Sequence, residues 1–107
     1  MEPKDIKQVV AAELQAGIIF NNFHGISPHN LQSFLVEPYE VMVDPDDLEQ
    51  NQRPMWVVLH ECQQPREGYI VVFDPKHSSW GIAEFTSEAA LTIVISAATL
   101  AKALDGM

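Results

Sequence analysis

The amino-acid sequence predicts an α+β fold. Its expected parts are an N-terminal helix, a short variable helical segment, a four-stranded antiparallel meander sheet, and a C-terminal hydrophobic helix packed on one face. Three observations carry this expectation. Six of the seven prolines fall between Pro28 and Pro75, which leaves the two ends of the chain free for helices. Between those ends, Val, Ile, Phe, Tyr and Trp gather in four short runs bounded by turn residues. The runs follow one another directly, whereas a doubly wound parallel fold needs strands that alternate with helices. With 107 residues, 47% of them hydrophobic and 20% charged, the chain makes one globular domain, residues 1–107, and is too short to bury two cores.

The first helix is expected from about Pro3 to Ala16. Pro3 suits the first helical position, Asp5 complements the positive end of the helix dipole, and Gly17 is a natural stop. Ile6, Val9, Val10 and Leu14 then share one apolar face. Ile18-Ile19-Phe20 reads as a short strand or a buried connection. Ser27 and Pro28 start a short helix that runs to Leu35 and turns Leu31, Phe34 and Leu35 inward.

The strand runs are Tyr39 to Asp44, Met55 to Cys62, Tyr69 to Asp74 and Ser79 to Phe85. The short links around Pro65-Arg66-Glu67-Gly68 and Pro75-Lys76-His77-Ser78 make neighbouring strands antiparallel. The link from Pro45 to Pro54 is longer and polar, as a mobile loop would be. The last helix is expected from Ser87 to Gly106, with Glu88, Thr92, Ser96 and Thr99 as a narrow polar stripe. A helix so apolar elsewhere needs cover on most sides. A second copy of the chain, giving a homodimer through this helix, would supply it; so would the N-terminal helix together with the Phe20 to Leu35 segment.

Composition also bounds the function. Six Lys+Arg against fifteen Asp+Glu give a net charge of −9, with a sequence pI near 4.6. That balance opposes binding to nucleic acid or to an anionic membrane, both of which require a basic face. One cysteine cannot form an internal disulfide. The start Met1-Glu2-Pro3-Lys4-Asp5 lacks an apolar signal core, and the apolar stretch from Ala89 to Ala101 is too short to cross a bilayer. A cytoplasmic, soluble protein is the expectation.

Motifs for chemistry are sparse. Glycines at 17, 25, 68, 81 and 106 are too scattered to cradle a phosphate, and no Gly-x-Ser-x-Gly elbow occurs. His60-Glu61-Cys62 ends the second strand run, where alternation places His60 and Cys62 on the face of Trp56 and Val58. With His24 and Trp80 these two residues form a candidate ligand pocket, although their spacing matches no zinc motif and no catalytic or metal-ligating set is assigned. No cofactor is implied. Trp80 follows a turn, and both core packing and an exposed anchoring role suit it. Asp44, Asp46, Asp47 and Glu49 lack the glycine and the closing glutamate of a calcium loop. They read as a solvated acidic loop, or as one that steers a basic protein partner toward the chain. The favoured function is a small acidic, non-enzymatic interaction or regulatory module, with immunity-like blocking of a basic partner as its specific form. The alternative is a ligand-binding domain or enzyme with its pocket near His60 and Cys62.

Overall fold

The computed structural model describes residues 1–22, 24–44, 52–64, 67–85 and 91–107. Helix α1 spans Pro3–Gln15, as its proline start and apolar spacing predict. The Glu2 amide donates to Asp5 Oδ2 at 2.7 Å, tying the first turn, and Gly17 leaves the helix with φ +82°, a conformation that side chains resist. The Ser27 to Leu35 helix shortens to a single 3₁₀ turn, Leu31–Ser33. Asn30 accounts for the loss: its side chain accepts from the Ser27 amide and donates to the Gly25 carbonyl, holding the backbone in a local turn. Phe20, Ile26 and Leu31 are nevertheless buried, so this segment packs as a connection and not as a strand.

The sheet has five strands, not four: β1 Leu35–Val43, β2 Arg53–His60, β3 Ile70–Asp74, β4 Ser79–Phe85 and β5 Leu91–Ala97. They lie in the order β1-β2-β3-β4-β5, every pair antiparallel, which is the expected meander extended by one strand. The long C-terminal helix is therefore corrected. Its central part is β5, and the remaining helix, α2, is only Leu100–Asp105. Leu91-Thr92-Ile93-Val94-Ile95 is mostly β-branched, which favours a pleated strand over a helix. Thr99, read as part of the polar stripe, instead caps α2, its hydroxyl accepting from the Lys102 amide at 3.1 Å. The argument for a homodimer rested on a long helix apolar on nearly every side, and that helix does not form.

The sheet buries both of its faces. On one side α1 and α2 bring Ile6, Val10, Leu100, Ala103 and Leu104 against Trp56, Val58, Phe73, Trp80 and Ile82. On the other, Val43, Met55, Val57, Ile70, Val72, Ala83, Leu91 and Ile93 pack on one another as the sheet curls over them. The curl brings the two ends of the meander together: the Asp44 amide donates to the Leu91 carbonyl at 2.8 Å, and the Ile93 amide to the Asp44 carbonyl at 3.0 Å. Register irregularities between Leu35 and Tyr39, Val57 and Leu59, and Ile82 and Ala83 supply local bends. Gly81 lets β4 approach β5 closely, since a Cβ there would stand 2.8 Å from Ile93 Cδ1 and 3.2 Å from the Ile95 carbonyl oxygen. Among the described residues, no helix is long and apolar enough to cross a membrane.

Candidate functional site

The candidate site lies where β2 ends. His60 is the last residue of that strand, opposite Ile70, so Glu61 and Cys62 fall beyond it. Glu61 prolongs the pairing by other means: its amide donates to the Tyr69 carbonyl, and its Oε1 accepts from the Tyr69 amide at 2.9 Å. Its Oε2 pairs with His24 Nδ1, and the His24 ring meets Tyr69 edge-on at 5.5 Å. Asn22 sets the approach of His24 by accepting its amide hydrogen at 3.0 Å. Gly68 completes the corner, since a Cβ there would lie 2.7 Å from Glu61 Oε1 and 2.8 Å from Cys62 Sγ.

Two open hollows flank this strand end. One, of about 360 Å³, is lined by His24, Glu61, Cys62, Glu67, Tyr69 and Glu84, among others. The second, of about 380 Å³, is lined by Phe34, Leu35, His60, Glu61 and Cys62. Cys62 thus meets both histidines as a wall neighbour, with His24 on one side and His60 on the other. Among the described residues, neither histidine is hydrogen-bonded to the thiol: His24 holds Glu61, while His60 Nε2 lies 2.7 Å from the Tyr39 hydroxyl. The expected shared face with Trp56 and Val58 is also corrected. The irregularity in β2 interrupts simple alternation, and His60 ends opposite Ile70, a member of the curled face, while Trp56 and Val58 pack under the helices.

Burial lowers the His60 pKa below 6.5 and raises that of Tyr39 above 10.0, so both rings are neutral near neutrality. One proton therefore joins the Tyr39 hydroxyl and Nε2, and which of them donates follows the His60 tautomer. Trp80 stands apart from both hollows. It is 3% exposed, with its ring centroid 4.8 Å from that of Phe73, so it packs in the core. Asp44 is placed by its backbone at the closure of the sheet; Asp46, Asp47 and Glu49 lie outside the described residues.

A second charged cluster had only part of its membership visible in the sequence. Asp74, 4% exposed, accepts from Arg53 Nε and His77 Nδ1 at 3.0 Å each, and from the Lys76 amide at 2.9 Å. Burial alone would raise its pKa, but the hydrogen bonds from His77, Lys76 and Arg53, with the Arg53 charge, outweigh burial and leave it below 3.8. The Asp74-Pro75 turn signal marks the acceptor, whereas nothing local points to Arg53 on a neighbouring strand. Among the described residues no group of three His, Cys, Asp or Glu side chains is arranged to hold a metal ion. Comparison with protein-family models, curated proteins and solved structures finds no match.

What the corner offers chemically is a negative, partly aromatic hollow. Glu61, Glu67 and Glu84 supply carboxylates, Tyr69 a ring edge, and among the described residues no lysine or arginine lines it. Such a surface favours a cationic group over an anionic one.

Proposed function

We propose that this protein is a small non-enzymatic interaction module that captures a protein partner through that partner's basic surface. One observation carries the reading: carboxylates outnumber cations on the described surface, and three of the described cations are paired within the chain. Lys4 pairs with Glu2, Lys7 with Glu37, and Arg53 with Asp74. Beyond these pairs, Glu40, Glu67 and Asp105 stand exposed, and Glu61, Glu67 and Glu84 face the hollow beside His24. A surface of this kind accelerates encounter with a positive partner and repels a negative one. Immunity-like or regulatory blocking of a basic partner is the specific form this reading takes.

The test is titration with a polylysine probe, followed by isothermal calorimetry at several salt concentrations. Binding should be readily measured near about 50 mM salt and weaken by about tenfold or more by ~300 mM, as the Debye length shortens. An affinity that is absent at low salt, or unchanged by salt, sinks the proposal.

A second reading is favoured by the meeting of His24, Glu61, Cys62 and Tyr69 on one hollow: recognition of a small cationic ligand at that corner. Native mass spectrometry of the purified protein distinguishes it. A bound small molecule that disappears in Cys62→Ala or His24→Ala, with the circular dichroism spectrum kept, supports the ligand reading; a protein of unmodified mass argues against it.

A further inference from the structure

We infer that the partner docks as an extended basic segment added to the open edge of β1, with one apolar side chain seated in the trough between β1 and α1. This rests on the interaction reading above and names its surface. β1 is nine residues long, and among the described residues it pairs along Leu35–Val43 with β2 alone. The bridge to β5 begins only at Asp44, beyond its end. An edge of this length presents backbone donors and acceptors in register for another strand, and proteins usually blunt it. Here Pro38 and the adjacent irregularity protect the first part, whereas Tyr39 to Val43 runs in regular register against Val57 to Arg53.

The side chains beside this edge agree. Of the large exposed hydrophobic residues, Tyr39 at 38% and Met42 at 50% stand on β1 itself. The neighbouring trough, about 300 Å³ in volume, is walled chiefly by apolar side chains, Val10, Ala11, Leu14, Val36 and Pro38, with Lys7, paired to Glu37, as the charged residue of its described lining. Glu37 and Glu40 stand exposed along the same strand, with Glu40 opposite Trp56 on the helix-covered side. An added strand gains affinity from main-chain hydrogen bonds and specificity from alternate side-chain pockets. Charge selects the occupant. A segment alternating Lys or Arg with apolar residues sets a cation against Glu40, Glu37 being held by Lys7, whereas a second copy of this chain would bring Glu40 against its own kind between two bodies of charge −9.

The experiment is an amide-resolved NMR titration of the intact protein with a synthetic peptide that alternates lysine with valine and leucine, and with its glutamate counterpart. The basic peptide should bind saturably, moving the amides of β1 and of Val10 to Leu14, while the acidic one should not bind. Glu40→Lys and Ala11→Trp, which reverses a charge and fills the trough, should each weaken binding by about tenfold, a change of ~1.4 kcal/mol. Circular dichroism verifies that both variants fold; Ala11 is exposed on its helix, so the larger side chain is accommodated at the surface. Shifts confined to His24, Glu61 and Tyr69 would overturn the β1 site while leaving basic capture intact. A concentration-dependent dimer abolished by Ala11→Trp would assign the edge to a second copy and overturn the proposal. Failure of both this peptide and polylysine to bind would remove the interaction reading as well.

Discussion

Replacing Gly81 by alanine tests the most consequential feature of this fold, the presence of β5 beside β4. The added methyl would stand 2.8 Å from Ile93 Cδ1, 3.2 Å from the Ile95 carbonyl oxygen and 3.5 Å from Val72 Cγ2. Ile93 Cδ1 is the far end of a side chain and can swing aside, at roughly 0.5–1.5 kcal/mol if it leaves its rotamer. The carbonyl belongs to the neighbouring strand and yields only if the β4–β5 pairing shifts, so overpacking of about 1–3 kcal/mol applies. Alanine also stiffens the unfolded chain, which returns about 0.4–1 kcal/mol. The net expectation for Gly81→Ala is a loss of about 1–2 kcal/mol, measured by equilibrium urea unfolding. Ile93→Val removes the clashing Cδ1 and alone costs about 0.5–1.5 kcal/mol. Combined with Gly81→Ala it should cost less than the sum by about 0.5–1 kcal/mol, the signature of direct contact. A helix through residues 87–106 would not place Ile93 against Gly81. Neutral or stabilising Gly81→Ala, or strict additivity in the double variant, would refute the β4–β5 arrangement.

Three further outcomes are expected. Asp74→Asn takes the carboxylate from Arg53 and His77 in a nearly closed site and should cost about 3 kcal/mol in urea unfolding. Because the folded Asp74 pKa lies below 3.8, the unfolded chain takes up its proton first as pH falls; the carboxylate's contribution is whole above 3.8 and is lost toward the folded value, an acid dependence that Asp74→Asn should reduce. His60 has the same sign in a higher window: its folded pKa is below 6.5, so its contribution is whole above 6.5 and falls as pH drops, and thermal melts of His60→Gln should show a flatter profile there. Gly68→Ala meets the movable ends Glu61 Oε1 and Cys62 Sγ, with Cys62 Cβ at a tolerable 3.4 Å, so it should cost less than about 1 kcal/mol by urea unfolding while displacing Glu61 from the Tyr69 amide, visible as a shift of that amide by NMR.

The physical difference between legible and hidden parts of the fold is one of range. α1 and the four expected strands are specified by signals within a dozen residues: a proline start, a glycine stop, β-branched runs and short turns. The C-terminal stretch misleads because Glu88, Thr92 and Ser96 recur every four residues. Four is close to the helical repeat, and it is also a multiple of two, so the spacing does not by itself separate a helix from a strand; in β5 the register shift sets Thr92, opposite Glu84, and Ser96, opposite Gly81, on different faces. The β-branched character of Leu91 to Ile95 and the capping potential of Thr99 are the local signals that discriminate. The curl is different. Closure by Asp44 on Leu91 and Ile93 joins residues nearly fifty positions apart, and only this contact makes the second face a core.

The histidines follow the same rule. His77 and its acceptor Asp74 are three residues apart, across a turn announced by Asp74-Pro75. His60 and Tyr39 are separated by 21 residues, and His24 and Glu61 by 37. The local pair supports a turn and a buried ion pair, a structural task that a short stretch of chain can encode by itself. The distant pairs depend on the β1–β2 register and on the turn of the chain before β1, and they are the ones beside the two hollows. Open walls between separate segments arise where two stretches meet without filling the gap, so the residues at such walls come from different parts of the chain. His24, Glu61 and Glu84 at one hollow, and Phe34 and His60 at the other, are assembled in that way. Charge, by contrast, is additive and carries no sequence separation. For that reason the acidic character is legible in the sequence, while the β1 edge on which we place the proposed partner emerges only with the order of the strands.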